Sequence, residues 1–232
     1  MAAFFSKFFP YFTKHWDDMG ELLLDHLQIA FTVLGISLIV SAGLSILIYR
    51  SEFLSTAVLG LFGAIYSIPS LALFSVLVPL LGLGKPSAVF ALVLYLQYIL
   101  IRNILAGFHA ISPAVLEAGA GMGLSPAQLF LRIRLPLALP IIIGGMRIAI
   151  VAAIGMTVIA ATINAGGLGM LLFEGLRTHY PVKIVWGTLL CAGITWIANS
   201  LMYEIEKYCL KKANGELPAK EVIKSIYGKK VA

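Results

Sequence analysis

Charged side chains are what this sequence has least of: 17 basic and 11 acidic residues make up only 12% of its 232 positions, against about 25% in an ordinary soluble domain. With hydrophobic residues at 60%, lipid rather than water is the natural solvent for most of the chain. Cysteine is equally scarce. Cys191 and Cys209 stand far apart, one in an apolar stretch and one beside a basic tail, without CxxC spacing or clustered histidine, and both read as packing residues. No GxxxxGK[ST] phosphate loop is present, so any ATP hydrolysis belongs to a separate polypeptide. No His, Asp, Glu or Cys group has metal-ligand or triad spacing, which speaks against a membrane enzyme. The apolar stretches also lack the Asp/Glu relay that a secondary transporter usually needs. The chain is thus expected to bind no cofactor itself.

What it does have are apolar stretches long enough to cross a bilayer, which takes roughly 20 helical residues. Leu27 to Tyr49 is the first, closed by Arg50 and Glu52. Phe53 to about Leu81 is the second, kinked by Pro69 and Pro79. Lys85-Pro86 opens a third from Ser87 to about Phe108, with Arg102 placed to snorkel near its end. A fourth runs from the Pro136 region to about Asn164, ahead of Gly166-Gly167. Ile184 to about Tyr203 is the fifth, with Trp186 and Trp196 as interfacial anchors. No linker-like stretch divides the chain, and a single domain is expected. Lys7, Lys14, Asp17 and Asp18 interrupt the first twenty residues, which argues against a cleaved signal peptide. The mixture of aromatics and charges there suits the outer interface.

Five crossings put the termini on opposite sides. Seven lysines lie between Lys207 and Lys230; with Arg50, Arg102, Arg132 and Arg134 they give eleven basic residues on one side, against Lys7, Lys14, Lys85, Arg177 and Lys183 on the other. The richer side is cytoplasmic, so the N-terminus is expected outside and the segment from Ser112 to Leu135 inside. A basic membrane flank also explains the net charge of +6, leaving no case for nucleic acid.

That inner segment reads ISPAVLEAGAGMGLSPAQLFLRIRLP. Ser112-Pro113 is a helix start, and Ser125-Pro126 repeats it with Gln128 at the capping-box position and Leu124 and Leu129 at staple positions. Gly119, Gly121 and Gly123 between them predict a glycine elbow. The result is a compact knob of two short helices.

In Glu117, Ala118, Gly123, Ile133, Leu135 and Pro136, with Gly119 replacing a second Ala, the segment resembles the EAA loop of binding-protein-dependent ABC importer permeases. The resemblance implies an all-α membrane protein of about five transmembrane helices with a cytoplasmic coupling-helix loop, the type I ABC importer permease fold. It divides the chain into an N-terminal extracytoplasmic or interfacial segment (1–26), a transmembrane permease domain (27–206, with the coupling loop at 112–136) and a basic cytoplasmic tail (207–232). Its partners would be a cytoplasmic ABC ATPase carrying ATP and Mg, a second permease subunit, identical or related, and an extracytoplasmic substrate-binding protein. The setting would be the lipid of a bacterial cell (inner or plasma) membrane, crossed several times.

The stretches IPSLALFSVLVPLLGLGKPSAVFALVLYLQYILIRN, LPLALP and AGGLGMLLFEGL look like the osmoprotectant branch, which imports glycine betaine, carnitine or choline. Methionine and sulfonate permeases share parts of this pattern and are the alternative. Tyr66, Tyr95 and Tyr98 are candidates for the pathway, but aromatics in membrane helices serve chiefly in packing, and no substrate residue is assigned. Arg147 is expected to snorkel toward the cytoplasmic face, and Glu174, Arg177 and His179 to lie in a solvated outer loop.

Overall fold

The computed structural model describes residues 2–215, with side-chain environments from residue 6 onward; the lysines at 220, 224, 229 and 230 lie outside the described residues. The order along the chain is α1 (Ala2–Ile48), α2 (Glu52–Tyr66), α3 (Ser70–Leu81), α4 (Lys85–His109), α5 (Pro113–Gly121), α6 (Pro126–Leu129), a π-helical turn (Phe130–Arg134), α7 (Leu135–Ala160), α8 (Gly169–Arg177) and α9 (Pro181–Ala213). Among the described residues four helices are long and apolar enough to cross a membrane, and the bent pair α2–α3, counted as one broken span, brings the number to five.

The bundle is built around α4. Lys85 and Pro86 open it as the sequence indicates, and Ala88, Ala91, Leu92, Leu96 and Ile101 along it are fully buried under α1, α2, α3 and α7. Small residues set the approach to α7: a Cβ on Gly107 would fall 3.1 Å from the Ala138 carbonyl oxygen, and Gly145 gives its place to the Asn103 side chain. Without a hydrophobic force between helices in lipid, this close backbone contact is what holds them together.

Segment α1 extends well before Leu27, with non-helical angles at His15 (φ −122, ψ 21). Phe8 and Phe12 stack on Trp186 with centroids 4.5 and 4.8 Å away, and the Trp186 indole donates to the Phe8 carbonyl at 3.0 Å. Trp186 therefore joins α1 to α9 instead of lying free at an interface. Trp196, by contrast, is 72% exposed.

Between α2 and α3 the chain turns by 93°. Pro69 has no N–H for the Ile65 carbonyl, which the Ile68 N–H takes up at 3.1 Å. The Tyr95 hydroxyl then pins the turn by donating to the Ile68 carbonyl at 2.6 Å.

A clasp closes the end of the bundle opposite α5 and α6. After α7, Asn164 (φ 63) ends a 3-10 turn, with Ala165 N–H bonded to Ala160 and Asn164 N–H to Ala161, the Schellman pattern with Asn where Gly is usual. Gly166 and Gly167 follow, also at positive φ. The Gly167 N–H donates to Asp25 at 2.9 Å, and Asp25 pairs with Lys85. Fully buried His26 sits 3.1 Å from the Ile154 carbonyl through Nε2 and 3.3 Å from the Leu168 N–H through Nδ1. A carbonyl on one nitrogen and an N–H on the other select the neutral Nε2–H tautomer. A Cβ on Gly167 would fall 3.0 Å from His26 Nδ1, so glycine is required there twice over, by backbone angle and by space.

The sequence reading needs two corrections here. Arg147 is not an isolated charge: its guanidinium lies 2.9 Å from Glu206 of α9 and 5.6 Å over the Tyr203 ring, with Gly144 opening the space that Glu206 fills. Glu174 is not a loose loop charge, since it pairs with Lys183 at 2.6 Å.

Replacing His26 by Leu leaves the Leu168 N–H without its partner. At about 1–3 kcal/mol for an orphaned buried group, the variant should unfold at lower temperature in detergent than wild type; an unchanged midpoint would show that the clasp carries no stability.

Candidate coupling site

The segment between α4 and α7 is a hairpin whose geometry follows from a few residues. Pro113 starts α5, but the Ser112 side chain makes no cap hydrogen bond, contrary to the sequence expectation. The Ser112 carbonyl instead accepts from the Val115 N–H at 3.1 Å, and Pro113 itself removes one of the donors that a cap would serve.

The elbow is a Schellman motif. Leu124 N–H reaches the Gly119 carbonyl at 3.3 Å and Gly123 N–H the Ala120 carbonyl at 2.9 Å, with Gly123 at φ +80 in the left-handed region. Only Gly123 belongs to the elbow proper; Gly119 and Gly121 lie within α5. Gly119 has a different task. A Cβ there would stand 2.6 Å from the Leu129 and Ile133 δ-methyls and 3.7 Å from that of Leu124. Even alanine would displace these side chains, which accounts for the one departure from the Glu-Ala-Ala pattern.

Ser125 opens α6 with a complete capping box, its Oγ accepting from Gln128 N–H at 3.3 Å and its N–H donating to Gln128 Oε1 at 2.9 Å. The helix does not stop before the next crossing, as two separate short helices would require. It passes through the π turn into α7, giving 38 helical residues from Pro126 to Ile163, about 57 Å at 1.5 Å per residue.

The π turn widens the helix by one residue where Phe130 and Arg134 face inward. Phe130, Tyr49 and Phe108 form a ring triad with centroids 5.4–5.7 Å apart. Arg134 lies 5.1 Å over Tyr49 and donates to the Phe108 carbonyl at 3.2 Å, where a cation complements the C-terminal end of the α4 dipole. The hairpin is thereby fixed to the ends of both α1 and α4. Sequence reading missed Tyr49, Phe108 and Phe130, whose separations along the chain leave no periodic signal.

Of the predicted residues, Gly119 and Ile133 meet in the hairpin core and Gly123 makes the bend. Leu135 and Pro136 begin α7. Glu117 and Ala118 do not join them; both are exposed on α5, beside Met122 at 75% exposure. This arrangement has no chemistry of its own to perform. It presents one carboxylate and a small apolar surface on a knob tied rigidly to three long helices.

Residues 34–212 match the family described as binding-protein-dependent transport system inner membrane component. The chain is 34% identical over 193 residues to the osmoprotectant import permease protein OsmW of Salmonella typhimurium, covering 81% of this chain and 90% of that one. It is also 34% identical to the glycine betaine/carnitine/choline transport system permease protein OpuCB of Bacillus subtilis, over 73% of this chain and 80% of the relative. Among solved structures, the inward-facing MetNI methionine ABC transporter superposes with a TM-score of 0.76, covering 82% of this chain and 95% of that one at 18% identity. The fold is that of type I ABC importer permeases, and the chain belongs to the binding-protein-dependent inner membrane components as a multi-pass permease subunit of an ABC importer.

Proposed function

We propose that this permease imports quaternary ammonium osmoprotectants such as glycine betaine, carnitine or choline, driven by a separate ATPase that docks on α5. The observation that carries the coupling part is the hairpin itself: exposed Glu117, Ala118 and Met122 at its tip and a continuous helix from Pro126 into the bundle. When ATP and Mg close the ATPase, a push on α5 passes through the Gly119–Ile133 contact to α7 and through Arg134 to the ends of α1 and α4. A rigid connection moves the helices together, as alternating access requires. The substrate part is supported by the relatives, whose printed names are osmoprotectant, choline and carnitine permeases. A second permease subunit, identical or related, completes the pathway, and an extracytoplasmic binding protein delivers the substrate.

Two outcomes are expected for the hairpin. Glu117→Ala and Gly123→Val should reduce co-purification of the ATPase and lower uptake at least tenfold while the permease still inserts in the membrane. Unchanged co-purification and uptake would remove α5 as the docking element. For cargo, proteoliposomes holding the full importer should accumulate labelled glycine betaine, carnitine or choline; accumulation of methionine or sulfonates and no quaternary amine would move the chain to another branch.

Orientation follows from the basic residues, with α5 and α6 cytoplasmic. A single cysteine placed at Lys14 should react with an impermeant maleimide from outside, and one at Lys224, beyond the described residues, should not. The opposite pattern would invert the topology.

A further inference from the structure

The bend between α2 and α3 lies at mid-membrane depth. Segment α4 is 25 residues long, about 37 Å, and Tyr95 and Tyr98, which pack at the bend, fall near its middle. Measured from the other direction, α2 contributes 15 residues, about 22 Å from its start to Tyr66. Ser67, Ile68 and Pro69 are non-helical there and exposed in the single chain. Irregular backbone is tolerated at that depth only inside protein or along a water-filled cavity, so this face cannot be turned to lipid.

The side chains at the bend have a matching character. The Tyr66 ring lies 5.2 Å from Tyr98 and 5.9 Å from Tyr95, and Tyr66 is 38% exposed. Gly63 leaves room for Tyr98, since a Cβ there would be 3.2 Å from its ring. Arg102 is exposed on the same side of α4. It reaches back along the helix to donate to the Tyr98 hydroxyl at 3.3 Å and lies 5.9 Å from the ring centroid. Beyond Arg102 a cleft of about 300 Å³ continues between α2 and α4, past Ser55, Thr56, Leu59 and Leu105 to Glu52 and His109.

We infer that the α2–α3 bend holds a transport subsite for a small zwitterion, with a quaternary ammonium on the Tyr66 and Tyr98 rings and a carboxylate on the Arg102 guanidinium. The rings attract a cation that has no N–H to donate; the guanidinium supplies the donors that a carboxylate needs. Tyr95 is a positioning residue, holding the bend through Ile68. This subsite rests on the proposed osmoprotectant function and selects within it, since glycine betaine and carnitine carry both groups and choline carries only the first.

The test is uptake by the complete importer, permease with its ATPase and binding protein, in proteoliposomes given labelled glycine betaine or choline. Tyr66→Leu and Tyr98→Leu should each lower the maximal uptake rate of both compounds about tenfold. Arg102→Gln should lower that of glycine betaine about tenfold and leave choline within about twofold. Co-purification of the ATPase reports assembly. Should the leucine variants fail to assemble, progressively fluorinated aromatic residues at 66 and 98 replace them, and uptake should fall with each added fluorine. If wild type takes up neither compound, nor labelled carnitine, the osmoprotectant reading fails and the subsite with it. If wild type transports but the ring variants match it, the subsite alone is overturned. Choline lost in parallel with glycine betaine in Arg102→Gln, or wild-type uptake of choline alone, would overturn the carboxylate assignment.

Discussion

Any polar group that leaves the helical ladder inside a bilayer must be satisfied by another part of the chain, because hydrocarbon supplies no partner. This requirement organises the structure. Where α2 breaks, Tyr95 provides the hydroxyl for the Ile68 carbonyl. Where α4 ends, Arg134 serves the Phe108 carbonyl. Where α7 gives way to the glycine turn, Asp25 and His26 take the N–H groups of Gly167 and Leu168. Each irregularity is thus also a joint between elements distant in sequence, and the apolar packing of α4 fills the space between the joints.

The same joints determine how motion can spread. Segment α7 is continuous with the hairpin, and Arg134 ties the hairpin to α4, so under the proposed coupling a displacement of α5 would reach both helices. By contrast, only 6% of the apolar window of α9 is buried within the chain. That helix packs on α7 and α8 along one side and leaves the rest of its apolar surface, with the groove that Thr188, Thr195 and Asn199 line against α7, facing outward from the chain.

Much of this was legible in the sequence wherever the signal is local. Pro69 marks the bend, Lys85-Pro86 the start of α4, and Ser125 with Gln128 the box at α6, because each acts on backbone within four residues of itself. Ser112 shows the limit of such signals: it has the same Ser-Pro start as Ser125, yet its side chain makes no cap bond. The elbow was read from three glycines when one suffices, since composition does not distinguish a glycine needed for its φ from Gly119, needed for space against Ile133. Long-range partners left no local trace. Arg147 was read as a lone charge because Glu206 lies 59 residues on in a different helix, and Tyr66, Tyr95 and Tyr98, named together from the sequence, gained mutual ring contacts only once the bend brought α2 against α4.

The clasp at Asp25 and His26 also has a history in time. Its partners are 142 residues downstream, and at about 5–20 residues per second synthesis needs roughly 7–30 s to reach them. Lys85 and Ile154, their other partners, are made earlier, but until that interval ends neither group has its partner in the glycine turn. Neither can sink into the apolar interior until the glycine turn arrives to receive it. Completion of the clasp on the first helix is therefore a late event, although that helix is made before the other crossings.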